Sequence, residues 1–421
     1  MQSRTAKNLT KISPPWQALT LCVRLLVTAC VCMAMTTRAA PVPRITVRKK
    51  AGDANPVLAL EHFSGPAEVR AILLRTLRAA DWFTVTTDGR AAAYRLRARF
   101  RSSPVPHLDL QIAGNGEQGR IRVRGRSGGE VRHLIHRSVD QLIQRIFDRP
   151  GPCEARLAFT IRKEGRREIF VSDFDGSHAR RFTHNGSIST EPAWGRGGRF
   201  LAYTLYRRDR TEVILVDVAG GRQRRLTGFP GLNSAPDLSP DGQRMALCMS
   251  RDRRMDLYVM RLSDRAITRL TRDEAVESSP CWSPDGRAIC YVSDRRGRPQ
   301  LYVRDLTTGK SRRLLANPSE AVSPDWSSVS NRICFATRRR GHYVLAMIDP
   351  DAPGSQATVF MDRPGDWESP SWAPDGRHVI CTHASGNGRE LCIVDSRHGT
   401  VIPLTRPADL SLPAWSGRLA R

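Results

Sequence analysis

The sequence contains very little lysine, and it has no long hydrophobic run outside its first forty residues. Six lysines stand beside sixty-one arginines, and the net charge is +26 at pH 7. Such a ratio is explained first by a coding preference for arginine and only second by a designed anion-binding surface. A charge of this size nevertheless favours anionic partners, such as acidic proteins or anionic envelope surfaces.

Groups of residues that could form a catalytic or metal-binding site are also scarce. No group of His, Cys and carboxylate residues has the spacing of a metal site, so we expect no metal, no cofactor and no enzymatic activity. His136 lies between apolar positions of a predicted helix, without a nucleophile or metal ligand near it in sequence. We interpret it as a half-buried histidine that bonds within its own domain.

The first residues are typical of an export signal. A basic start is followed by the apolar run "ALTLCVRLLVTACVCMAM" and by "TTRAA", which predicts a signal peptide over residues 1–39, cleaved after Ala39. A lipoprotein-type signal that ends at Cys30 is the alternative. Cleavage after Ala39 leaves a charge of +21, because five cationic and no acidic side chains are lost. Export argues against nucleic acid as a partner.

Seven of the ten cysteines lie after the predicted signal peptide. Their number is odd, and a chain of this size does not need disulfides to fold, so no disulfide framework is predicted. One pair is an exception: folding the last hairpin about "SGNG" places Cys381 opposite Cys392, where a disulfide is one of two open alternatives.

A phrase such as "PCWSPDG" recurs at regular intervals. Steps of 44, 44, 44, 46 and 43 residues separate its prolines, which are Pro192, Pro236, Pro280, Pro324, Pro370 and Pro413. One unit contains four short β-patterned segments separated by turn residues, and units of about 44 residues with four strands are typical of β-propeller blades. We therefore predict an all-β six-bladed β-propeller over residues 151–421.

The two ends of the repeat complete each other. The last unit stops after "PAWS", whereas the first, at residues 155–185, lacks its proline strand. We expect residues 413–421 to provide that strand and close the ring, which leaves no exposed sheet edge. Residues 40–150 alternate between helical and strand-like patterns and predict a small α+β domain.

Arginines concentrate in the loops between the second and third strands of the blades, at residues 207–210, 251–254, 294–298 and 338–340. The connections that carry Glu191, Glu277, Glu320 and Glu368 should emerge on that same side, nearer the axis. This predicts an acidic or polar mouth ringed by arginines, with Arg295 and Arg296 as partner-binding candidates, although simple solvation of arginine-rich hairpins explains the pattern equally well.

The order of a signal peptide, a small domain that ends in a helix, and a propeller that ends in "PAWS" resembles the TolB family of the Tol-Pal envelope system. The junction "HRSVDQLIQRIFDRPGPCEARLAFT" and the stretches "VSDFDGSHARRFT", "LNSAPDLSPDG" and "SDRRGRPQLY" carry the resemblance. It implies a non-enzymatic periplasmic protein. Its propeller would bind a Pal-like peptidoglycan-associated lipoprotein, and its N-terminal segment would engage a TolA-like inner-membrane protein.

The resemblance places Pal contacts around the mouth, just before the blade prolines. Here those residues are Asn233 and Ser234, Ser278 and Ser279, and Glu368 and Ser369. Many family members have Thr-Glu before such a proline, whereas this chain has it only as Thr190-Glu191, so the contacts can differ. The alternative function is a stand-alone periplasmic propeller that binds envelope glycan or anionic lipid. A monomer is the default expectation.

Overall fold

The computed structural model describes residues 45–47, 54–126, 130–251, 254–315, 320–352 and 356–419. The predicted signal peptide, its cleavage site and Cys30 lie outside these ranges. Within them, no helix is both long enough and apolar enough to cross a membrane.

The segment before the propeller is a five-stranded mixed sheet packed against two helices. The strands are β2 Val57–Ser64, β3 Thr84–Thr86, β4 Tyr94–Arg101, β5 His107–Gly114 and β6 Glu117–Arg124, and the helices are α1 Ala67–Ala80 and α2 Val131–Phe147. In the sheet order β3-β2-β4-β5-β6, β2 runs parallel to both neighbours and the other pairs are antiparallel. The predicted α+β character is confirmed.

Each helix buries one apolar stripe and ends on a left-handed aspartate. In α1, Val69, Leu73 and Leu77 recur every four residues and are buried, as expected for a helix with one face on a core. The chain leaves α1 at Asp81, whose φ is 50° and whose N–H donates to the Arg78 carbonyl at 3.2 Å. Asp81 is thereby placed against the propeller.

Six four-stranded antiparallel sheets follow and form the blades of the predicted propeller. In order from inner to outer strand, blade one is β30 Leu410–Trp415, β7 Arg156–Lys163, β8 Arg166–Asp173 and β9 Arg180–Arg181. Blade two is β10 Ser189–Trp194, β11 Phe200–Tyr206, β12 Thr211–Asp217 and β13 Gln223–Arg225. Blade three is β14 Asn233–Leu238, β15 Arg244–Met249, β16 Asp256–Arg261 and β17 Ile267–Arg269.

The other three blades repeat the plan. Blade four is β18 Glu277–Trp282, β19 Ala288–Ser293, β20 Gln300–Asp305 and β21 Ser311–Arg313. Blade five is β22 Ala321–Trp326, β23 Ile333–Arg339, β24 His342–Ile348 and β25 Ala357–Met361, with β1 Ile45–Val47 added in parallel to β25. Blade six is β26 Asp366–Trp372, β27 His378–Ser385, β28 Gly388–Asp395 and β29 Val401–Pro403.

The last strand of the chain completes the first blade. β30 pairs antiparallel with β7, and the Ser416 hydroxyl accepts a hydrogen bond from the Arg156 amide at 2.9 Å. Leu410 and Trp415 belong to one core cluster with residues of α1, α2 and blade six. The ring closure and the packing of the preceding segment therefore depend on the same side chains.

The repeated proline-Asp-Gly turn is structural, as its sequence indicates. In blade three the Gly242 amide donates to the Ser239 carbonyl at 2.8 Å, and Gly242 has a φ of 70°, a conformation that glycine adopts without steric cost. The turn joins the first two strands of a blade at the end opposite to the arginine-rich loops.

The cysteines after the predicted signal peptide are buried free thiols in this structure. Cys290 and Cys334 occupy second-strand positions that Ala158, Ala202 and Ala246 occupy in other blades, whereas in blade six Ile380 holds that position and Cys381 follows it. Cys381 and Cys392 lie directly opposite each other, as the hairpin indicates. They are not bonded, and the Cys381 thiol donates to the Cys392 carbonyl at 3.5 Å.

Candidate functional site: the mouth of the propeller

We call the mouth that end of the central channel where the inner strands begin and where the loops between second and third strands lie. Every inner strand carries a β-bulge there. In each blade the residue before the proline is left-handed with φ between 47° and 53°, namely Glu191, Ala235, Ser279, Ser323, Ser369 and Leu412. Left-handed residues other than glycine are strained, and such strain concentrates at functional sites.

The bulge turns a backbone N–H away from the neighbouring strand. In blade three the Ala235 amide donates to Glu191 Oε2 of the preceding blade at 2.8 Å. The same carboxylate oxygen accepts a hydrogen bond from the Thr204 hydroxyl at 2.7 Å. Glu191 therefore occupies a small carboxylate cradle that is formed by one bulge amide and one threonine hydroxyl.

Deeper in the channel, polar side chains cap the amides of the following blade. Asp237 accepts from the Trp282 N–H at 2.9 Å, and Asp325 accepts from the Trp372 N–H at 2.6 Å. Burial raises the pKa of Asp237 to about 7 and that of Asp325 to about 6, although these hydrogen bonds act in the opposite direction. Both carboxyls thus stabilise the contact between neighbouring blades.

The arginine-rich loops cover buried acids. Glu277 has no exposed surface, and its carboxylate lies 2.9 Å from Arg295, whose guanidinium also packs over the Tyr302 ring. Burial raises the pKa of Glu277 to about 7, and the charge of Arg295 acts in the opposite direction. In blade two, Arg207 and Arg210 bind the buried Glu212 in the same way.

The remaining two glutamates are half-buried and paired. Glu320 accepts a hydrogen bond from the Tyr343 hydroxyl at 2.8 Å, with Arg338 at 3.9 Å, and Glu368 lies 3.1 Å from Arg389. The four glutamates stand at four different distances from their prolines. Three of the four glutamates are therefore paired with an arginine, while Glu191 is held by the Thr204 hydroxyl and the Ala235 amide. Each acid already has an internal partner.

The other partner-binding candidates from the sequence fall into a buried group and an accessible group. Asn233 is fully buried, and its side-chain amide donates to the carbonyls of Thr211 and Phe229. Ser234, Ser278, Ser279 and Ser369 are partly exposed beside the bulges, and Arg296 is exposed. Burial removes Asn233 and Glu277 from direct contact with a partner, so their contribution is to hold the neighbouring residues in place.

An open cavity of about 610 Å³ lies at the mouth between blades six and one. Its lining includes the left-handed Ser369 and Leu412 and a group of charged side chains, namely Arg162, Arg167, Arg389, Glu368 and Asp409. Sequence reasoning did not find this cavity, because its walls come from opposite ends of the repeat region. The left-handed position before each proline was also missed.

The segment before the propeller binds the opposite end of the ring. Trp82 donates to Asp375 at 3.1 Å, and the Arg377 guanidinium packs over the Trp82 ring and donates to Asn55 at 2.6 Å. On blade one, Arg132 lies 2.8 Å from Asp173. These contacts leave the mouth uncovered by the described part of that segment.

Among the residues that the structure describes, two side-chain clusters have the composition of a metal site, and in both the ligand atoms already contact other protein groups. In Asp81, His378 and Asp395, the last carboxylate is bound by Arg377 at 2.7 Å. In His383, Glu390 and Cys392, the two histidine nitrogens contact Glu390 at 3.1 Å and the Pro364 carbonyl at 3.0 Å. Neither cluster offers a free ligand set.

Comparisons with known proteins agree with this architecture. A model of the TolB beta propeller domain matches residues 145–419.

This chain belongs to the TolB propeller family.

The curated relatives include the Tol-Pal system protein TolB of Anaeromyxobacter sp. strain K, which is 32% identical over 127 residues, or 30% of this chain and 28% of the relative. The TolB of Syntrophotalea carbinolica is 32% identical over 105 residues, or 25% and 23% of the two chains. The chain thus aligns with less than a third of the length of these TolB proteins.

The solved structure of TolB from Acinetobacter baumannii superimposes with a TM-score of 0.79 at 24% identity. It covers 88% of this chain and 98% of that one. A chain from a nidogen/laminin complex superimposes at a TM-score of 0.51 and 13% identity over 63% of this chain and all of its own length. The TolB architecture is therefore shared, while the fold by itself assigns no partner.

Proposed function

We propose that this chain is a non-enzymatic periplasmic component of a Tol-Pal-like system. Its propeller mouth would bind a Pal-like peptidoglycan-associated lipoprotein and so support outer-membrane integrity and cell division. The single observation that carries the proposal is family membership over residues 145–419. The open mouth, left uncovered by the described residues before the propeller, is consistent with it.

The contact residues that we propose are the accessible ones. Ser234, Ser278 and Ser279 would meet the partner on blades three and four, and Glu368 and Ser369 on blade six, since each is partly exposed at the mouth. Glu191 and Glu320 are also partly exposed, and Arg296 is exposed in an outer loop. Asn233, Glu277 and Arg295 would act by holding the bulges and loops that present these side chains.

A TolA-like partner is proposed for the N-terminal segment. Most of that segment lies outside the described residues, but Ile45–Val47 adds an outer strand to blade five through parallel pairing with β25. An extended segment at a sheet edge is one way in which peptides are recognised. TolA binding would then require either this strand or the residues around it to become available.

The absence of enzymatic activity is also part of the proposal. The sequence contains one Gly-x-Ser-x-Gly pattern, at residues 125–129, and its serine lies outside the described residues. Such a serine acts as a nucleophile only when a histidine lies within hydrogen-bond distance of it and an acidic residue orients that histidine. Hydrolysis of peptide, ester or glycan substrates by the purified protein, and its loss in Ser127→Ala, would contradict a purely binding role.

One feature favours the alternative, a propeller that binds an anionic glycan or lipid. A cavity of about 1350 Å³ between the outer parts of blades five and six is lined by six arginines and two aspartates, namely Arg332, Arg339, Arg340, Arg363, Arg377, Arg397, Asp349 and Asp362. This excess of positive charge suits a phosphate- or carboxylate-bearing ligand. Retention of the protein by anionic vesicles, and not by neutral ones, would support this second function.

Affinity purification tests the principal proposal. We expect the tagged protein to retain the Pal-like lipoprotein of its own organism. The double variant Ser279→Arg and Ser369→Arg should reduce the yield at least tenfold, because two long cationic side chains would obstruct the mouth. Gln243→Arg adds one arginine, with one positive charge, on an exposed turn at the opposite end of blade three and should retain the lipoprotein.

Equal thermal stability of these variants would show that the mouth substitutions leave the fold intact. Undiminished retention by the double variant would contradict binding at the mouth. Loss of retention in the Gln243→Arg control as well would point to a general effect of added charge.

A further inference from the structure

The carboxylate cradle around Glu191 has a counterpart in blade six, where no carboxylate fills it. Thr204 stands opposite Thr190 in blade two, and Thr382 stands opposite Glu368 in blade six, at the same place in the register. Each threonine lies on the second strand of its blade, opposite the last paired residue before the bulge of the inner strand. The two hydroxyls therefore occupy equivalent positions under the mouth.

Their hydrogen bonding differs. The Thr204 hydroxyl donates to Glu191, whereas the Thr382 hydroxyl is buried and has no hydrogen-bond partner in the part of the chain that the structure describes. Leaving a buried hydroxyl without a hydrogen-bond partner destabilises the folded state. An unpaired hydroxyl in a native structure calls for an explanation, and one explanation is that a bound ligand supplies its hydrogen-bond partner.

The second donor of the cradle is also present. Glu191 reaches forward to the Ala235 amide of the next blade, and the residue at the corresponding place after Ser369 is Leu412 of blade one. Leu412 has the same left-handed φ, 52°, and lies in the same register gap of its bulge. By analogy with Ala235, its N–H is the second donor of the cradle. Ser369 replaces Glu191 at the ring position, and a serine side chain is too short to bridge the two donors.

The surroundings suit an incoming anion. Ser369 and Leu412 line the mouth cavity together with Arg162, Arg167 and Arg389. Arg389 is paired with Glu368 at 3.1 Å and Arg162 with Asp409 at 3.7 Å. Arg167 has no carboxylate within ion-pair distance among the described residues, so one positive charge at this cavity is unbalanced.

We propose that the cavity between blades six and one is a carboxylate-binding subsite, in which an aspartate or glutamate side chain of a protein partner occupies the place that Glu191 fills in blade two. The Thr382 hydroxyl and the Leu412 amide would donate to the carboxylate, and Arg167 and Arg389 would supply the field around it. Charge-assisted hydrogen bonds of this kind are roughly twice as strong as neutral ones. The inference deepens the proposed function and rests on it for the identity of the partner.

The subsite is tested without the partner. The probe is acetyl-glutamate N-methylamide, titrated into the full-length mature protein labelled with ¹⁵N-leucine, with acetyl-glutamine N-methylamide as the uncharged control. We expect the Leu412 amide resonance, assigned through Leu412→Met, to shift with the glutamate probe at millimolar concentration. The glutamine probe should bind at least tenfold more weakly.

A pair of variants at Ser369 provides the matched control. Ser369→Glu would place an internal carboxylate on the Leu412 amide, as Glu191 does on Ala235, and should abolish the response to the probe. Ser369→Ala keeps the cradle empty and should bind as the unmodified protein does. Arg167→Gln should weaken binding at least threefold while leaving thermal stability unchanged.

The outcomes separate the subsite from the proposed function. Equal probe binding by Ser369→Glu and Ser369→Ala, or no probe-dependent shift at Leu412, would overturn the subsite even if the lipoprotein still bound the mouth. A probe response with the expected variant pattern would support the subsite even if the Pal-like lipoprotein did not bind.

Discussion

Replacing Asp375 by Asn is expected to lower the free energy of unfolding by about 3–5 kcal/mol, the usual cost of removing one partner of a buried ion pair. Asp375 is buried, and one oxygen lies 2.6 Å from His378 Nδ1 and 3.1 Å from the Trp82 indole nitrogen. The variant would leave His378 with the more distant Asp81, at 3.7 Å. Urea unfolding at pH 7 measures the change.

Asp285→Asn is the matched control. Asp285 holds the same position in the proline-Asp-Gly turn of blade four, where its side chain is 58% exposed and binds only its own turn. We expect a loss of no more than about 1 kcal/mol there, as for one surface hydrogen bond. Similar losses in the two variants would contradict a special role for Asp375 in attaching the segment before the propeller.

The same network predicts a pH dependence. Burial alone would lower the pKa of His378, but the charge of Asp375, the hydrogen bonds to Asp375 and Asp81, and the charge of Asp395 outweigh it and raise that pKa to about 9. A histidine whose folded pKa exceeds the unfolded value of 6.5 contributes its full stability below about pH 6.5, and that stability is lost as the pH rises through about 9. The contribution of His378 should therefore fall by about 3 kcal/mol between pH 6 and pH 10. In Asp375→Asn this fall should be smaller.

Deleting residues 410–421 is expected to abolish cooperative folding. The deletion removes β30, leaves β7 as an unpaired edge and takes Leu410 and Trp415 out of the largest core cluster. Loss of buried side chains of this size costs about 3–5 kcal/mol each, against a total stability of about 5–15 kcal/mol for a typical domain. Size-exclusion chromatography and thermal unfolding should show aggregation in place of a single transition.

A milder variant keeps this prediction measurable if the truncated chain cannot be purified. Trp415→Ala should unfold cooperatively but with about 3–5 kcal/mol less stability, and removal of residues 420–421 alone should have little effect. A chain that lacks residues 410–421 and still unfolds at the temperature of the full-length protein would show that the ring does not depend on its last strand.

Much of the fold could be predicted from sequence because it depends on residue spacings that are local or that repeat with a fixed period. The proline spacing gave six blades, and the apolar spacing of Val69, Leu73 and Leu77 indicated α1. The two complementary ends of the repeat suggested the pairing of β30 with β7. Each of these features depends on residues that are close in sequence or that recur with a fixed period.

The chemistry of the mouth could be predicted only in part, because it depends on backbone conformation and on contacts between blades. Sequence distance from the proline does not reveal that Glu277 is buried beneath Arg295 while Glu191 bridges two blades. Nor does it show that the aspartate of one repeated turn, Asp375, is used to hold Trp82. All copies of the turn have similar sequences, and the role of Asp375 depends on the residues that surround it in the folded structure.

Hydrogen exchange of the complex tests the central claim most directly. The full-length mature protein is exchanged with and without the Pal-like lipoprotein of its own organism, and peptides covering the six bulges are compared with peptides covering the turns at the opposite end. Binding at the mouth should slow exchange in peptides that contain Ser279, Ser323, Ser369 and Leu412, and leave the turn at Gln243 unchanged. Protection confined to the turns or to the segment before the propeller, or no protection at a saturating lipoprotein concentration, would contradict the account.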